Sequence, residues 1–287
     1  MSSLGLMAVV RNEGHILDEF INHYLWQGID HFYFIDNNST DNSYEIYDKY
    51  KSIITLLQEP RVVNVSTLEE GDIQVSSYGK MLKNVETDWL YICDMDEFAY
   101  ARRGFKTIKS FIETHENTFD QFLIRLKTFN SNGHINQPKF VVESFTKRHI
   151  HRYNKNQFTL PNKCIVKTNK IRRINITHCQ LTQPSVTVDS TLTHFIRDCD
   201  ISFDDAIKHT RNVTEETYEN SYIVSNHYTV QSKNFYFNNK ALRGRASKPA
   251  LIKGDSQKFY ESEWIRTEKH SCVDDFELFE QIGRAHV

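Results

Sequence analysis

Four nearly all-apolar runs, separated by stretches of helical spacing, leave this chain few folds to choose from in its first hundred residues. Leu4-Gly-Leu-Met-Ala-Val-Val10 is a continuous apolar strand. Ile16, Leu17, Phe20, Ile21, Tyr24 and Leu25 then recur at helical spacing, and Gly28 stands where a helix stop would. The pattern repeats in His31-Phe-Tyr-Phe-Ile35, the polar turn Asp36-Asn-Asn-Ser-Thr-Asp41 and a helix carrying Ile46, Tyr47 and Tyr50. Ile53 to Leu57 gives a third strand, a helix around Val75 to Val85 follows, and Trp89 to Cys93 is the fourth strand. Strands with no polar face, alternating with helices, predict an α/β fold: a mainly parallel, Rossmann-like sheet covered by helices on both sides. Such sheets bind ligands beyond the carboxyl ends of their strands. Arg11-Asn12-Glu13, Asp36-Asn37-Asn38 and Asp94-Met95-Asp96 each follow a strand end, so three polar clusters should converge on one edge.

The fourth run stops abruptly, in Tyr91-Ile-Cys-Asp-Met-Asp-Glu-Phe-Ala-Tyr100. Carboxylates next to a buried strand need a cation, a hydrogen bond or a shifted pKa. In extended backbone residues i and i+2 share a side, so Asp94 and Asp96 are expected to point together while Met95 turns into the packing. Two hard oxygen donors so placed suit Mg2+ or Mn2+, with phosphate oxygens and water completing the shell. A chain of this length holds on the order of one D-x-D by chance. A second, Asp198-Cys199-Asp200, is present, but only the first ends a strong strand on the convergent edge.

Beyond residue 120 the pattern loosens. Gln121 to Thr128 reads as a strand, short β-like pieces alternate with turn residues from Asn130 to Thr193, and helical spacing returns near Phe203 to Thr210. No linker and no repeat divides the chain. One domain over residues 1–281 is expected, with a nucleotide-binding half to about 128 and an irregular acceptor-side half after it. The last six residues, Ile282-Gly-Arg-Ala-His-Val287, resemble one reading frame of a widely used sequencing adapter and are expected to be non-native.

Charge narrows the partners. A formal net charge of -2 offers no basic field for nucleic acid and no polybasic membrane patch. The apolar run at the N-terminus is too short for a signal-peptide core or a spanning helix, and no longer one follows. Cys93, Cys164, Cys179, Cys199 and Cys272 form no CxxC pair. They read as free thiols in a reducing cytoplasm, the expected location, with attachment to a membrane surface as the alternative.

Other motifs are absent. Asp36 to Asp41 begins like a calcium loop, but Asp41 stands at the required Gly and Tyr47 at the bidentate Glu. No G-x-G-x-x-G follows the first strand, no phosphate-binding P-loop occurs, and no G-x-S-x-G elbow is present.

An ordered set of short motifs remains. It comprises Val9-Val10-Arg11-Asn12-Glu13, Glu19 and His23, Gly28-Ile-Asp-His-Phe32, Asp36-Asn-Asn-Ser-Thr-Asp-Asn-Ser43 and Trp89-Leu90 leading into Asp94-Met-Asp-Glu-Phe98. It continues through Phe129 to Gly133, Lys163 and His178, then Asn226-His227-Tyr228, Gln231-Ser232, Phe235, Lys240 and Arg243-Gly244-Arg245. From Leu6 to about Arg245 this resembles glycosyltransferases of the GT-A fold, nearest the family 92 type, which is kin to family 2.

The resemblance implies a hexosyl-type transferase that moves a sugar from a nucleotide diphosphate donor, a UDP-sugar, to a hydroxyl of a glycan or glycoconjugate. Asp94 and Asp96 would hold Mn2+ or Mg2+ on the diphosphate. Arg11, Asn12, Glu13 and Asp36 would contact the nucleoside, and Gln74 and Tyr78 would line the donor pocket. His227 would complete the metal site, since a neutral imidazole suits Mn2+ and a distant segment can close a site opened by carboxylates, a buried His hydrogen-bonded to backbone being the alternative. Lys240 and Arg243 would meet phosphate, a solvated basic loop being the alternative. Arg11-Asn12-Glu13 reads alternatively as a helix cap with its first-turn carboxylate, and Ser39 and Asp41 read as caps of the second helix.

The chain departs from the family pattern with Arg11 for Lys, Asn22-His23-Tyr24 where Tyr-His is usual, and Asn130 for Gly, so the donor sugar is not carried over. No second-half carboxylate is singled out as a base, although Glu97 borders the metal site. Two other classes share the features so far: a sugar-1-phosphate nucleotidyltransferase, which should carry a Gly-rich basic loop after the first strand, and an inactive sugar-nucleotide binding protein of the same fold.

Overall fold

The computed structural model describes residues 2–59, 73–150, 162–175, 177–193, 195–197, 214–241 and 255–285. Strand and helix alternate as β1 (Leu4–Val10), α1 (Gly14–Trp26), β2 (His31–Asp36), α2 (Ser43–Lys49), β3 (Ile54–Gln58), α3 (Ile73–Met81) and β4 (Trp89–Ile92). Then come β5 (Glu97–Ala101), α4 (Ile108–His115), β6 (Gln121–Thr128), α5 (Val141–Ser144), β7 (Lys147–His149), β8 (Asn162–Lys167), β9 (Ile171–Ile174) and β10 (Cys179–Leu181). The rest is β11 (Val186–Val188), β12 (Phe195–Arg197), α6 (Glu215–Asn220), β13 (Ile223–His227), α7 (Lys233–Phe235), α8 (Asp255–His270), β14 (Ser271–Asp274) and α9 (Glu277–Ala285). The expected helical stretch Phe203 to Thr210 lies outside the described residues.

The main sheet runs β12-β11-β6-β8-β4-β1-β2-β3. β1 pairs in parallel with both β2 and β4, and β2 with β3, as the apolar runs required. β8 enters antiparallel between β4 and β6, an insertion that no periodicity announces. Both faces are covered. One buries Met7, Tyr33, Ile35, Leu90 and Ile92 with Tyr78 and Met81 of α3. The other meets α1, where Phe20 stacks edge-on against Phe98 at 5.7 Å and Tyr24 lies 5.7 Å from Tyr91. Gly28 does end α1: at φ +88 it donates its N–H to the Leu25 carbonyl, while Ile29 N–H reaches the Tyr24 carbonyl. That closure needs a left-handed residue, which glycine supplies without a Cβ penalty.

His23 sits in this aromatic layer, buried, with Nε2–H donating to the Ala99 carbonyl at 2.7 Å. Burial pushes its pKa down to about 4, against the opposing pull of that carbonyl. The folded state therefore holds the ring neutral while the unfolded chain protonates it near 6.5, so stability is full above that pH and falls as the pH drops towards 4. The loss from this one ring should approach roughly 3 kcal/mol. Denaturant unfolding between pH 7.5 and 4.5 reads it, and His23→Gln should flatten the dependence; an unaltered pH profile would contradict the assignment.

By compactness the chain forms two units. The first is Met1–Leu126 with His151–Ser225, the second Lys127–Ile150 with Asn226–Val287. In the second unit, β7 and β14 pair antiparallel, and Val230, Tyr236 and Tyr260 pack with Phe237 and Trp264. A buried ion cluster joins its segments: Lys127 Nζ lies 3.0 Å from Asp275 and 2.9 Å from Glu277, and Arg148 Nε lies 2.5 Å from Asp275. Among the described residues Cys93, Cys164, Cys179 and Cys272 are free thiols, and no helix is long and apolar enough to cross a membrane.

Candidate functional site

The edge at which the polar clusters meet belongs to the first unit. Val10 and Asp36 are register partners, so the loops after β1 and β2 start side by side, and Met7 pairs with Ile92, which brings the end of β4 to the same edge. Asn12 and Asn38 take left-handed backbone, φ +53 and +60, which asparagine tolerates better than most residues. Asn12 then ties the loops together: its N–H donates to Ser39 Oγ at 3.0 Å, and its Oδ1 accepts from Thr40 N–H at 2.7 Å. Asp41 accepts from Gly14 N–H at 2.8 Å with one oxygen, and from Ser43 N–H and Oγ–H with the other. One carboxylate therefore serves the first amides of both α1 and α2, where helix dipoles favour negative charge. A Cβ on Gly14 would come within 2.0 Å of Asn42 Oδ1, so a larger residue here would require the exposed Asn42 side chain to move.

Asp36 is a structural hub. It is 1% exposed and accepts from Ser39 N–H, Tyr44 Oη–H and Tyr47 Oη–H at 2.9 to 3.0 Å. Burial, with this carboxylate beside it, raises the Tyr47 phenol far above its ordinary pKa. Tyr44 remains 38% exposed. Glu13 occupies the N-cap position of α1, but its side chain makes no capping hydrogen bond; its backbone carbonyl accepts from Ile16 and Leu17 instead. Arg11 is half-buried.

The Asp94 segment differs from the extended geometry expected of it. β4 ends at Ile92 and the chain turns at once: Glu97 N–H donates to the Asp94 carbonyl at 3.2 Å, and Asp94 N–H donates to Glu97 Oε2 at 3.0 Å. The directions of Asp94 and Asp96 thus follow from a turn clamped by Glu97, and strand alternation does not set them. Because β8 pairs antiparallel with β4 in the register Ile92 to Cys164, Lys163 comes level with the residue before Asp94. Its Nζ lies 2.8 Å from Asp94 Oδ2 and 3.5 Å from Glu97 Oε1. The Lys163 and Glu97 side chains are 2% and 1% exposed, that of Asp94 40%. Burial works against the ammonium, yet Asp94 and Glu97, with Tyr78 close by, outweigh it and raise the lysine pKa well above its usual value. Sequence reasoning assigned Lys163 no role. The signal was a lone lysine at the head of the apolar run Cys164-Ile-Val166, since a buried ammonium requires a carboxylate.

The donor set fits a divalent ion. Asp94 and Asp96 supply hard oxygens on one short turn, with Asp94 partly open to solvent. Tyr78, expected beside the donor, is fully buried among Met7, Tyr33 and Leu90. Gln74 is carried by α3, but its side chain lies outside what the structure describes. His227 ends β13 in the second unit, where its carbonyl accepts from Phe129 N–H at 2.9 Å. Lys240, in the same unit, donates to the Thr229 carbonyl at 2.6 Å. Arg243, Gly244 and Arg245, and the second acidic pair Asp198 and Asp200, lie outside the described residues.

Comparison with protein families matches the model of glycosyl transferase family 2 over residues 7–179, from β1 to β10. A search of curated proteins finds no match. Among solved structures, TarS 1–349 of S. aureus is similar with 15% identity over 92% of this chain and 70% of that one, at a TM-score of 0.39. This chain covers 43% of the longer TarS structure, with 17% identity and a TM-score of 0.38. Mannosyl-3-phosphoglycerate synthase from Rubrobacter xylanophilus is similar with 13% identity over 59% of this chain and 55% of that one, at a TM-score of 0.34.

Proposed function

The chain belongs to glycosyl transferase family 2, and from that premise we propose that it transfers a hexosyl group from a nucleotide diphosphate sugar, a UDP-sugar, to a hydroxyl of a glycan or glycoconjugate. The observation that carries this reading is the meeting of the β1, β2 and β4 loops at one strand edge, with Asp94 and Asp96 on the turn that closes it. The nucleotide side is drawn from residues up to about 128 together with β8, which brings Lys163 to Asp94, and the acceptor side from the remainder of 129–281. The enzyme works in the cytoplasm or at a membrane surface.

Asp94 and Asp96 hold Mn2+ or Mg2+, with His227 as the third protein ligand on the strength of its chemistry and of the family resemblance. The bound ion supplies Lewis-acid neutralisation of the departing diphosphate. Glu97, buried and engaged with Asp94 N–H and Lys163, holds the turn in shape and borders the metal site, with a carboxylate oxygen within 4.8 Å of one of Asp96. Arg11, Asn12 and Glu13 bound the nucleoside pocket. Asp36 acts on that pocket through the loop it organises and through Tyr44. Gln74 belongs to the donor side, Tyr78 supports it only from within the core, and Lys240 and Arg243 belong to the diphosphate.

A panel of nucleotide sugars incubated with Mn2+ tests the reading. Slow release of nucleoside diphosphate from one donor is expected. Release from none, with donor still bound, would mark a binding protein; consumption of sugar 1-phosphate and nucleoside triphosphate would mark a nucleotidyltransferase. His227→Ala should weaken Mn2+ affinity roughly 10- to 100-fold, with partial rescue of the rate by excess metal. Unchanged affinity with lower thermal stability would remove His227 from the metal.

A further inference from the structure

We propose that Lys163 is a built-in counter-cation that keeps the Asp94–Asp96 turn a poor site for a bare divalent ion, so that the ion is held well only together with the donor's diphosphate. The proposal rests on the reading that these two aspartates bind the metal. Three observations support it, all within the first unit.

First, the ammonium is already on the carboxylate that the ion needs: Nζ is 2.8 Å from Asp94 Oδ2. Any cation drawn to Asp94 meets a like charge on the same group. Second, this charge cannot swing away. Lys163 is 2% exposed on a strand paired with β4 and β6, and its second partner, Glu97 at 3.5 Å, is itself buried and clamped to Asp94 N–H. Third, the formal charges set the direction. Asp94 and Glu97 bring -2 to their contacts with Lys163, whose +1 leaves -1. Without the lysine these two carboxylates would attract the bare ion more strongly. With it, additional attraction for the ion has to come from the anionic diphosphate. A like charge this close and this poorly hydrated changes cation affinity by at least about tenfold.

The experiment titrates Mn2+ calorimetrically into the full chain, with and without UDP, for the unaltered protein, Lys163→Met, Lys163→Gln, Lys163→Arg and Asp96→Asn. The unaltered protein should bind Mn2+ weakly alone and about tenfold or more tightly with UDP. Lys163→Met should bind the bare ion about tenfold more tightly and show less gain from UDP, and Lys163→Arg should behave like the original. Lys163→Gln keeps the buried polar contact and decides the matter if the Met variant does not fold. Bare-ion affinity unchanged or weakened in the neutral variants, with binding lost in Asp96→Asn, would overturn this inference alone and leave Lys163 as a residue that only positions Asp94. Mn2+ binding retained in Asp96→Asn would overturn the metal-site reading and the inference with it.

Discussion

Asp96→Asn should reduce sugar transfer about a thousandfold. Loss of a metal carboxylate removes several kcal/mol of stabilisation of the departing diphosphate, and each 1.4 kcal/mol is a factor of ten in rate. The structure separates this variant from its neighbour. Asp94 also neutralises the buried Lys163, so Asp94→Asn should lose activity and, in addition, about 1–3 kcal/mol of stability, because a buried ammonium is left with the more distant Glu97. Turnover with Mn2+ and unfolding in denaturant measure the two effects. The same exchange at Asp198, in the second acidic pair, should leave turnover intact. Full activity in a chelator, or equal losses at Asp96 and Asp198, would refute the assignment.

The second large effect is expected within the second unit. Asp275→Ala removes the carboxylate that answers both Lys127 and Arg148, whose side chains are 3% and 9% exposed. Burial alone would raise the Asp275 pKa, but these two cations outweigh it and hold it below its usual value. Removing one member of a buried ionic cluster costs about 3–5 kcal/mol, since both buried cations lose the carboxylate they share, although Lys127 keeps Glu277. Hydrogen exchange across residues 255–285 should accelerate strongly in this variant, while β1 and β4 keep their protection. Asp275→Asn should cost less, because an amide oxygen still accepts one hydrogen bond. Because the folded pKa is depressed, the contribution is present above the unfolded carboxyl value near 4 and fades as the pH falls further. Exchange in Asp275→Ala indistinguishable from the original would refute the account.

Much of the first unit was legible in sequence because its signals are local. Strand β6 begins and ends where its apolar composition places it, at Gln121 and Thr128. Gly28 could be read as a helix stop since φ > 0 at the end of a helix is a property of one residue. The convergence of Arg11, Asp36 and Asp94 followed from a general property of parallel sheets, that successive strands end on the same side. Two local readings were less good. Asp94-Met95-Asp96 continues the strand in pattern but turns in space, as Glu97 offers the Asp94 N–H a carboxylate in place of a neighbouring strand. Ser39 and Asp41 were read as caps of the second helix, but its N-cap is Asn42: Ser39 Oγ accepts from Asn12 N–H instead, and Asp41 accepts from Ser43 N–H and also reaches Gly14 at the start of α1.

By itself, then, the sequence determined the alternation of strands and helices, the apolar faces they bury, the edge where the acidic turn lies and the family to which the chain belongs. Each rests on periodicity or on short ordered motifs, which survive without knowledge of distant neighbours. Only the tertiary structure decided that Asp36 is enclosed by Tyr44 and Tyr47, that β8 enters antiparallel beside β4, and that Lys163 thereby reaches Asp94 across 69 positions of chain. The physical reason is that the cost of burying a charge is visible in a sequence while its partner is not. Strand register chooses that partner, and register is set by packing between segments whose order along the chain carries no record of it.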